Sequence, residues 1–478
     1  MELIQEVNLL KGAVEQLMAG FTDLPKYQAE SEDEERIAAV LKETALRMQD
    51  NQPFFHPMYA GQMIKPPHPI ARLAYAMAMW INPNNHALEG GRASAHMEKE
   101  AVAKLAQMFG FSSYLGHLTG GGTLANMEAL WIAGKLHPGR AIVASQNAHY
   151  THKRMCEVLG IPFIAIPCDK NWHIDIDALE EILRSQSVGT VVVTMGTTMT
   201  GSVDPLPEII NLSKKYNFRI HADAAYGGYY SLLGDDLELE VIEGFEQLKN
   251  IDSIVIDPHK HGLQAYGCGC ILFRDSKVGT FYKHDSPYTY FNSDELHLGE
   301  ISLECSRPGA AAVALWATLK LFPLDKDGQM AKNLAKCRQA ILSLYSKIKD
   351  DKRFLVLHKP DLDILVWALR APTASQSSRL AEEIFDQAAA EGLHLTRAKI
   401  PVETVARVAK EANIDFVADT QQVTCLRSAL LKPEHLNWLE QIWSTLNNAT
   451  AKILEKSLIA SDSAQEFNHL ASLEIIAS

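Results

Sequence analysis

Between residues 141 and 273 the sequence alternates short apolar runs with stretches of helical periodicity, and this alternation limits the fold more than any other feature. The apolar runs are rich in Val, Ile and Ala, and they predict buried strands at 141–144, 163–166, 190–194, 219–222, 251–256 and 270–273. Helices are predicted between them at 150–159, 176–183 and 207–215. Strands that alternate with helices favour an α/β fold with a mostly parallel sheet covered by helices on both faces.

The pattern of the whole chain predicts three segments. Residues 1–90 begin with apolar side chains at helical spacing, which indicates an N-terminal helical segment that packs on a partner subunit. Residues 91–331 form the predicted large domain. Residues 332–478 form a smaller C-terminal α/β domain, with a long helix at 335–348 and strands at 354–357, 364–369 and 423–428.

Charge and composition exclude several classes of partner. The 478 residues carry a formal net charge of −13, which argues against nucleic acid or an anionic membrane surface as a main partner. No apolar stretch is long and charge-free enough to span a bilayer, and the first residues lack the pattern of a signal peptide. The seven cysteines are an odd number without metal-site spacing, so we expect no metal and a reducing, cytoplasmic environment.

Polar residues follow the predicted strands, at the edge where an open α/β sheet binds its ligands. The segment Asp257–Pro–His–Lys260 lies between two of these strands. A lysine at a strand end is seldom there for packing, because its ammonium group is strongly hydrated. A desolvated lysine amine can form a Schiff base with a carbonyl group, although a lysine that only reaches from the strand end to solvent would give the same pattern.

Two further elements make this lysine part of a predicted cofactor site. The three glycines of Thr119–Gly–Gly–Gly–Thr123 open a helix, where backbone N–H groups and the helix dipole favour an anion such as a single phosphate. Asp223 follows a predicted strand and would keep a ring nitrogen protonated, while His149 would stack on the ring. A phosphate, an aldehyde and a ring nitrogen together match pyridoxal 5'-phosphate (PLP).

The sequence resembles the group II pyridoxal-phosphate-dependent amino-acid decarboxylases, which have the aspartate aminotransferase fold of type I. The shared segments, in the order of the family, are Thr119–Asn126, Asn147–His149, Gly196–Thr198 with Asp204–Leu206, His221–Gly228 and Asp257–Lys260. The resemblance implies a PLP-dependent transferase fold (type I) whose large domain binds the cofactor. It also implies an activity that removes the α-carboxylate of an L-amino acid as CO2 and leaves the amine.

The resemblance assigns roles to individual residues. Lys260, His149 and Asp223 would be catalytic, as the Schiff-base lysine, the ring-stacking histidine and the partner of the ring nitrogen. The remaining cofactor contacts would be made by Gly122 and Thr123 at the phosphate, helped by His259, by Thr197 below the ring and by Ala225 against its face. Local roles are the alternatives: Thr197 could serve only a turn, and His259 only the strand end.

Four residues bear on the substrate. In the glutamate and cysteine-sulfinate branch of the family, a His-Pro-x-x-x-x-Gln segment brings its glutamine to the substrate, and the segment that ends at Gln62 matches it. Asn82 and Asn84 correspond to two asparagines of that branch, although asparagines also suit a turn. Arg427 corresponds to an arginine that binds a substrate carboxylate, for which a guanidinium is well suited. The resemblance therefore implies a small acidic L-amino acid: glutamate, aspartate or cysteine sulfinate.

Two departures from the family leave the proton donor open. His261–Gly262 follows the Schiff-base lysine where animal members carry a bulky residue, and residues 286–307 look shorter than the mobile loop of the family. That loop usually presents a tyrosine that protonates the carbanion after CO2 leaves. Tyr288 and Tyr290 lie at its start, so His297 or water is an alternative donor.

Three alternatives to this activity follow from the same residues. Aromatic L-amino-acid decarboxylation would use the same chemistry on another side chain. An aldehyde lyase that cleaves a carbon–carbon bond is suggested by Ser306–Arg–Pro–Gly309, although the membrane anchor of the phosphosphingosine lyases has no counterpart here. A non-catalytic binding protein is disfavoured, because Lys260, Asp223 and His149 are all present. In this fold the N-terminal segment and the region at Ser306 approach the cofactor of the other subunit, so we expect a homodimer.

Overall fold

The structure is a computed structural model that describes residues 2–25, 30, 32–282 and 301–476, without the side chains of Glu89, Asp235 and 457–476. The chain forms two compact units. The first contains residues 1–55, 64–198 and 202–332, and the second contains residues 56–63, 199–201 and 333–478. Two short segments, 56–63 and 199–201, therefore belong with the C-terminal part of the chain although they are far from it in sequence.

The helices of the first unit are α1 (Leu3–Met18), α2 (Glu34–Met48), α3 (Pro69–Met79), α4 (Leu88–Met108), α5 (Gly122–Leu136), α6 (Thr151–Leu159), α7 (Ile176–Ser185), α8 (Leu206–Tyr216), α9 (Leu239–Glu246) and α10 (Gly309–Leu321). Several begin at a capping side chain. Asp33 accepts a hydrogen bond from the Arg36 amide at the start of α2, and Asp175 accepts one from the Ala178 amide at the start of α7. Within the described residues, no helix has the length and apolar character needed to cross a lipid bilayer.

A seven-stranded sheet forms the centre of the first unit, in the order β1-β7-β6-β5-β4-β2-β3. Its strands are β1 (Leu115–Thr119), β2 (Ala141–Ser145), β3 (Phe163–Ile166), β4 (Val188–Thr194), β5 (Arg219–Asp223), β6 (Ser253–Ile256) and β7 (Gly269–Phe273). Strands β3, β2, β4, β5 and β6 run parallel to one another, whereas β7 is antiparallel to both β1 and β6. The predicted α/β fold with a mostly parallel sheet is confirmed.

The strand register aligns the carboxyl ends of β4, β5 and β6 at one edge of the sheet. Thr194 of β4 pairs with Asp223 of β5, and Asp223 pairs with Val255 of β6. Helix α5 packs small side chains, among them Ala125 and Ala129, into the same core cluster as Val255. Each fully buried valine contributes roughly 1.5–3 kcal/mol of transfer free energy. The start of α5 and the carboxyl ends of β4, β5 and β6 are thereby held by a rigid core.

The second unit is built on a four-stranded antiparallel sheet in the order β10-β11-β9-β8. Its elements are α11 (Gln329–Asp350), β8 (Phe354–Val356), β9 (Ile364–Leu369), α12 (Ala374–Ala390), β10 (Thr396–Pro401), α13 (Val402–Glu411), β11 (Gln422–Ala429) and α14 (His435–Ile476). Trp367 of β9 is completely buried and packs with Ile341 and Ile384 from the helices. The prediction of a smaller C-terminal α/β domain is confirmed.

Candidate active site

The carboxyl ends of β4 and β5 and the loops that follow β1 and β6 line a cavity of about 530 Å³ in the first unit. Its walls include the following residues predicted from the sequence: Gly122, Thr123, His149, Asp223, Ala225, His259 and Lys260. These residues come from four places in the chain, and the parallel sheet brings them together at one edge.

Lys260 lies in the turn that follows β6, and its amide donates a hydrogen bond to the carbonyl of Asp257. Its Nζ is 3.2 Å from Asp257 Oδ2, and one fifth of the side chain is exposed. The amine is therefore held at the cavity wall by a buried carboxylate and still faces open space. This position suits an amine that must reach a carbonyl group in the cavity.

Asp223 ends β5 and is buried at the base of the cavity. Its Oδ2 is 2.9 Å from Nε2 of His152, and its Oδ1 accepts a hydrogen bond from the Ala225 amide. Burial by itself raises the pKa of Asp223, but the hydrogen bond with His152 and the charges of His152 and Lys260 outweigh it, so the net pKa lies well below its usual range. The carboxylate is therefore ionised at neutral pH.

His149 lies just before α6 and lines the cavity beside Asp223. Its Nδ1 lies 2.7 Å from the Thr151 hydroxyl and also accepts a hydrogen bond from the Thr151 amide. Burial lowers the pKa of His149, and the opposing charge of Asp223 compensates only in part. A neutral imidazole at neutral pH is suited to stacking on an aromatic ring.

The glycine loop begins α5 and lines the same cavity. Gly121 has φ of +144°, which favours glycine, and its carbonyl accepts the first hydrogen bonds of the helix from Leu124 and Ala125. The amides of Gly122 and Thr123 precede these bonds and have no acceptor within the helix. They form an anion site at the positive end of the helix dipole.

Pyridoxal phosphate fits this arrangement. The glycine loop offers amides to the phosphate, and glycine is needed at position 122 because an added Cβ atom would clash with the Asp257 carboxylate, 2.6 Å from Oδ2. Lys260 would bind the aldehyde, and the ionised Asp223 would bind the protonated ring nitrogen. These are the three groups that the sequence predicts for the cofactor.

Thr197 has a different environment from the residues on either side of it. Its side chain is completely buried, and its hydroxyl accepts a hydrogen bond from the Ser202 amide at 3.2 Å. Gly196 and Thr198 line the cavity instead. This bond with Ser202 is the turn contact expected as the local alternative for Thr197.

The two asparagines differ in what they do. Asn82 has a φ of +50° and ends α3, where its amide donates to the carbonyl of Ala78. Asn84 accepts hydrogen bonds from the Arg307 amide and donates one from Nδ2 to Ser306 Oγ. Asn82 therefore makes a turn, and Asn84 holds the segment at residue 306.

The other two predicted substrate residues lie in the second unit. Arg427 is on β11 and only 4% exposed. Its Nε donates to the carbonyl of Met199 at 2.9 Å, and its Nη1 donates to the carbonyl of Gly61 at 3.2 Å. Gln62 follows Gly61 directly and donates its amide hydrogen to the hydroxyl of Tyr59. Arg427 and Gln62 are therefore neighbours through the segment at residue 61.

Two residues with clear contacts in the site were not assigned a role from the sequence. His152 holds Asp223, and Asp257 holds Lys260. A signal for His152 was present, because this titratable side chain follows His149 by only three positions. The proton-donor candidates Tyr288, Tyr290 and His297 lie outside the described residues.

Comparison with known proteins agrees with this geometry. Residues 25–370 match the pyridoxal-dependent decarboxylase conserved domain. An L-aspartate decarboxylase of Thermococcus kodakarensis is 27% identical over 80% of this chain and 96% of the relative. An L-tyrosine decarboxylase of Enterococcus faecium is 25% identical, with 89% of each chain covered.

Solved structures show the same fold. The crystal structure of mouse CSAD matches with a TM-score of 0.73 and 18% identity, over 91% of this chain and 92% of that one. Oryza sativa TDC with PLP and tryptamine matches with a TM-score of 0.73 and 17% identity, over 94% and 97%. The predicted PLP-dependent transferase fold of type I is confirmed. With this fold, a family match over most of its length and a cavity that fits the cofactor, the chain belongs to the pyridoxal-dependent decarboxylases, carboxy-lyases that use PLP to remove CO2 from an amino acid.

Proposed function

We propose that this enzyme decarboxylates a small acidic L-amino acid, namely aspartate, glutamate or cysteine sulfinate, to the amine and CO2. The observation that carries the reaction type is the convergence of the Lys260 amine, the ionised Asp223 and the neutral His149 on one cavity beside an anion site. When bound, the cofactor supplies a ring that takes up the electrons left behind by CO2. The protein has to hold that ring, keep its nitrogen protonated and position the substrate.

The residues divide this work as follows. Lys260 would hold the aldehyde carbon covalently and exchange it for the substrate amine. Asp223 would hold a proton at the ring nitrogen, which makes the ring a better acceptor of electrons. His149 would cover one ring face, and Ala225 would pack against the other. Gly122, Thr123 and His259 would hold the phosphate.

Support for an acidic substrate comes from the relatives and from one buried cation. Several relatives are named L-aspartate decarboxylase or probable L-aspartate decarboxylase. We propose that Arg427 and the neighbouring Gln62 recognise the carboxylate of the substrate side chain. A guanidinium already desolvated in the fold can bind a carboxylate strongly.

The substrate is tested by the amine products formed from a mixture of amino acids. We expect kcat/KM for the preferred acidic amino acid to exceed that for tyrosine by about 100-fold or more, because the tyrosine side chain has no carboxylate to accept charge-assisted hydrogen bonds from Arg427. Product identification by mass spectrometry and CO2 release checks this. A preference for tyrosine would instead support the aromatic alternative, for which the Enterococcus faecium relative is the precedent.

A homodimer is proposed from the N-terminal helices. Helix α2 exposes Ile37, Val40, Leu41 and Met48, which recur at helical spacing on one face, and α1 exposes Leu3, Ile4 and Val7. Apolar stripes of this size are unfavourable in water and indicate a protein surface that covers them. Residues 1–90 are expected to pack on a partner subunit. We therefore propose that a second copy of this chain covers the exposed apolar residues of α1 and α2.

Adding charge to this stripe is expected to separate the subunits. The double substitution Val40→Glu and Leu41→Glu would bury two unpaired carboxylates in the interface, so we expect a shift from dimer to monomer on sedimentation. Lys42→Glu is the matched control, since it changes charge on the opposite face of α2 and should leave the dimer intact. A wild-type monomer with full activity would contradict the proposal.

A reducing compartment, such as the cytoplasm, is also proposed. All seven cysteines are free thiols, and most of them are buried. Burial raises the pKa of Cys156 to about 12, so this thiol resists oxidation.

A further inference from the structure

Asp257 is a buried carboxylate of the cavity for which the proposed chemistry has no use. Its Oδ2 is 3.2 Å from Lys260 Nζ and 3.5 Å from His259 Nε2. Its Oδ1 is buried and has no hydrogen-bond partner among the described residues. It also lies directly below the glycine loop, because a Cβ atom on Gly122 would approach its two oxygens to 2.6 and 2.9 Å. A buried carboxylate with an unsatisfied oxygen beside an anion site needs a compensating positive charge.

The hydrogen-bond geometry of His259 fixes where its proton can be added. Nδ1 is 2.8 Å from the carbonyl oxygen of Cys268. A carbonyl oxygen can only accept, so Nδ1 carries a hydrogen in every state of this ring. In the neutral ring Nε2 therefore carries a lone pair, which faces the Asp257 carboxylate. A lone pair repels a carboxylate and a phosphate oxygen alike, and only the imidazolium can donate a hydrogen bond to either.

A phosphate at the start of α5 increases the need for that proton. It adds negative charge beside Asp257, and the covalent bond to the cofactor would take up the Lys260 amine that otherwise contacts this carboxylate. We propose that Asp257 and His259 form a proton-binding dyad, which takes up one proton from solvent onto His259 Nε2 when the phosphate of the cofactor binds at the glycine loop. This inference rests on the proposed function, and it makes cofactor capture weaker as pH rises.

The other titratable groups around Asp257 leave His259 as the proton acceptor. The groups that interact with the carboxylate are Lys260, His259, His149, Tyr229, Tyr266, Cys268 and Cys270. Burial raises the pKa of both tyrosines and both cysteines, so these four groups keep their protons. Burial lowers the pKa of His149, so that ring stays neutral. The contribution of Lys260 is tested separately by substitution, because its amine is the group that would bond to the cofactor.

The test uses inorganic sulfate, which is a dianion at every pH where the protein is folded. Sulfate competes with PLP for the full-length apoenzyme, and the inhibition constant of sulfate is measured from pH 7.5 to 9. Above the pH at which a histidine ordinarily loses its proton, we expect this constant to rise by up to about tenfold per pH unit, because each bound sulfate then draws in one proton. A constant that does not change with pH in the wild-type protein would overturn the dyad, and this outcome needs no variant to fold.

Three variants identify the groups involved. Asp257→Asn keeps the shape without the charge and should abolish the pH dependence, whereas Lys260→Ala should retain it because the amine is not the acceptor. Glu304→Gln is the matched control, since Glu304 is a carboxylate that accepts from the Gly120 amide of the same loop at 2.9 Å; it should retain the dependence. A retained slope in Asp257→Asn, or a lost slope in Lys260→Ala or Glu304→Gln, would contradict the dyad.

Sulfate binding requires no turnover, so the result of this test is independent of the result of the CO2-release test of the proposed function. CO2 release from an acidic amino acid combined with pH-independent sulfate binding would remove the dyad alone. A pH-dependent sulfate site in a chain that decarboxylates no acidic amino acid would remove the proposed substrate and leave the dyad.

Discussion

Replacement of Lys260 by alanine is expected to lower CO2 release from the preferred substrate by about 10³-fold or more. Lys260 is the lysine that lines the cavity, and its amine is the group that can bond covalently to the aldehyde of the cofactor. Without that bond the cofactor is held by its phosphate and ring nitrogen alone, and the exchange with the substrate amine is lost. The measurement is CO2 release, with borohydride reduction and peptide mapping to locate the attached cofactor in the wild-type protein.

Lys214→Ala provides the control for this experiment. Lys214 is an exposed lysine on α8, so its removal should leave both CO2 release and cofactor attachment unchanged. Attachment of the cofactor to another lysine in the wild-type protein would contradict the role of Lys260. Retention of more than a tenth of the activity in Lys260→Ala would contradict it as well.

The fold was largely predictable because its central strands are continuous apolar runs. Strands β2 and β4 to β7 are buried on both faces, and such runs stand out from the helices between them. Strands β1 and β10 were not foreseen. Leu115–Thr119 contains a glycine and a histidine, and Thr396–Pro401 is an edge strand with charged side chains and a proline, both of which weaken the signal.

The site residues that follow strand ends could be predicted from the sequence. The contacts between side chains that are far apart in the sequence could not. Lys260, Asp223 and His149 lie at the sheet edge that the alternation predicts. The partnership of His152 with Asp223 joins residues 71 positions apart, which no periodicity reveals. The same is true of Arg427, which contacts backbone carbonyls of two distant segments. These contacts depend on the tertiary structure, and a local sequence pattern does not contain that information.

The last prediction concerns Asp223 and the histidine that supports it. Asp223→Asn is expected to lower kcat by about 10²- to 10³-fold, because a carboxylate that pairs with a buried cationic ring nitrogen contributes roughly 3–4 kcal/mol, and each 1.36 kcal/mol is a factor of ten in rate. Steady-state kinetics with saturating cofactor measures the loss. Asparagine keeps the shape of the side chain, so a rate within threefold of wild type would show that the charge is not required.

Substitution of His152 tests whether this histidine controls the ionisation of Asp223 or only its position. In His152→Phe the hydrogen bond is lost, and burial is then free to raise the pKa of Asp223. A raised pKa means that Asp223 takes up a proton as pH falls, so the acidic limb of the kcat profile should move to higher pH. In the wild-type protein the pKa is held low, and Asp223 contributes no such limb near neutrality. His152→Gln keeps a donor at this position and should restore part of the difference. If both variants kept the wild-type profile, His152 would only fill space, and the ionisation of Asp223 would have to come from Lys260 and the bound cofactor alone.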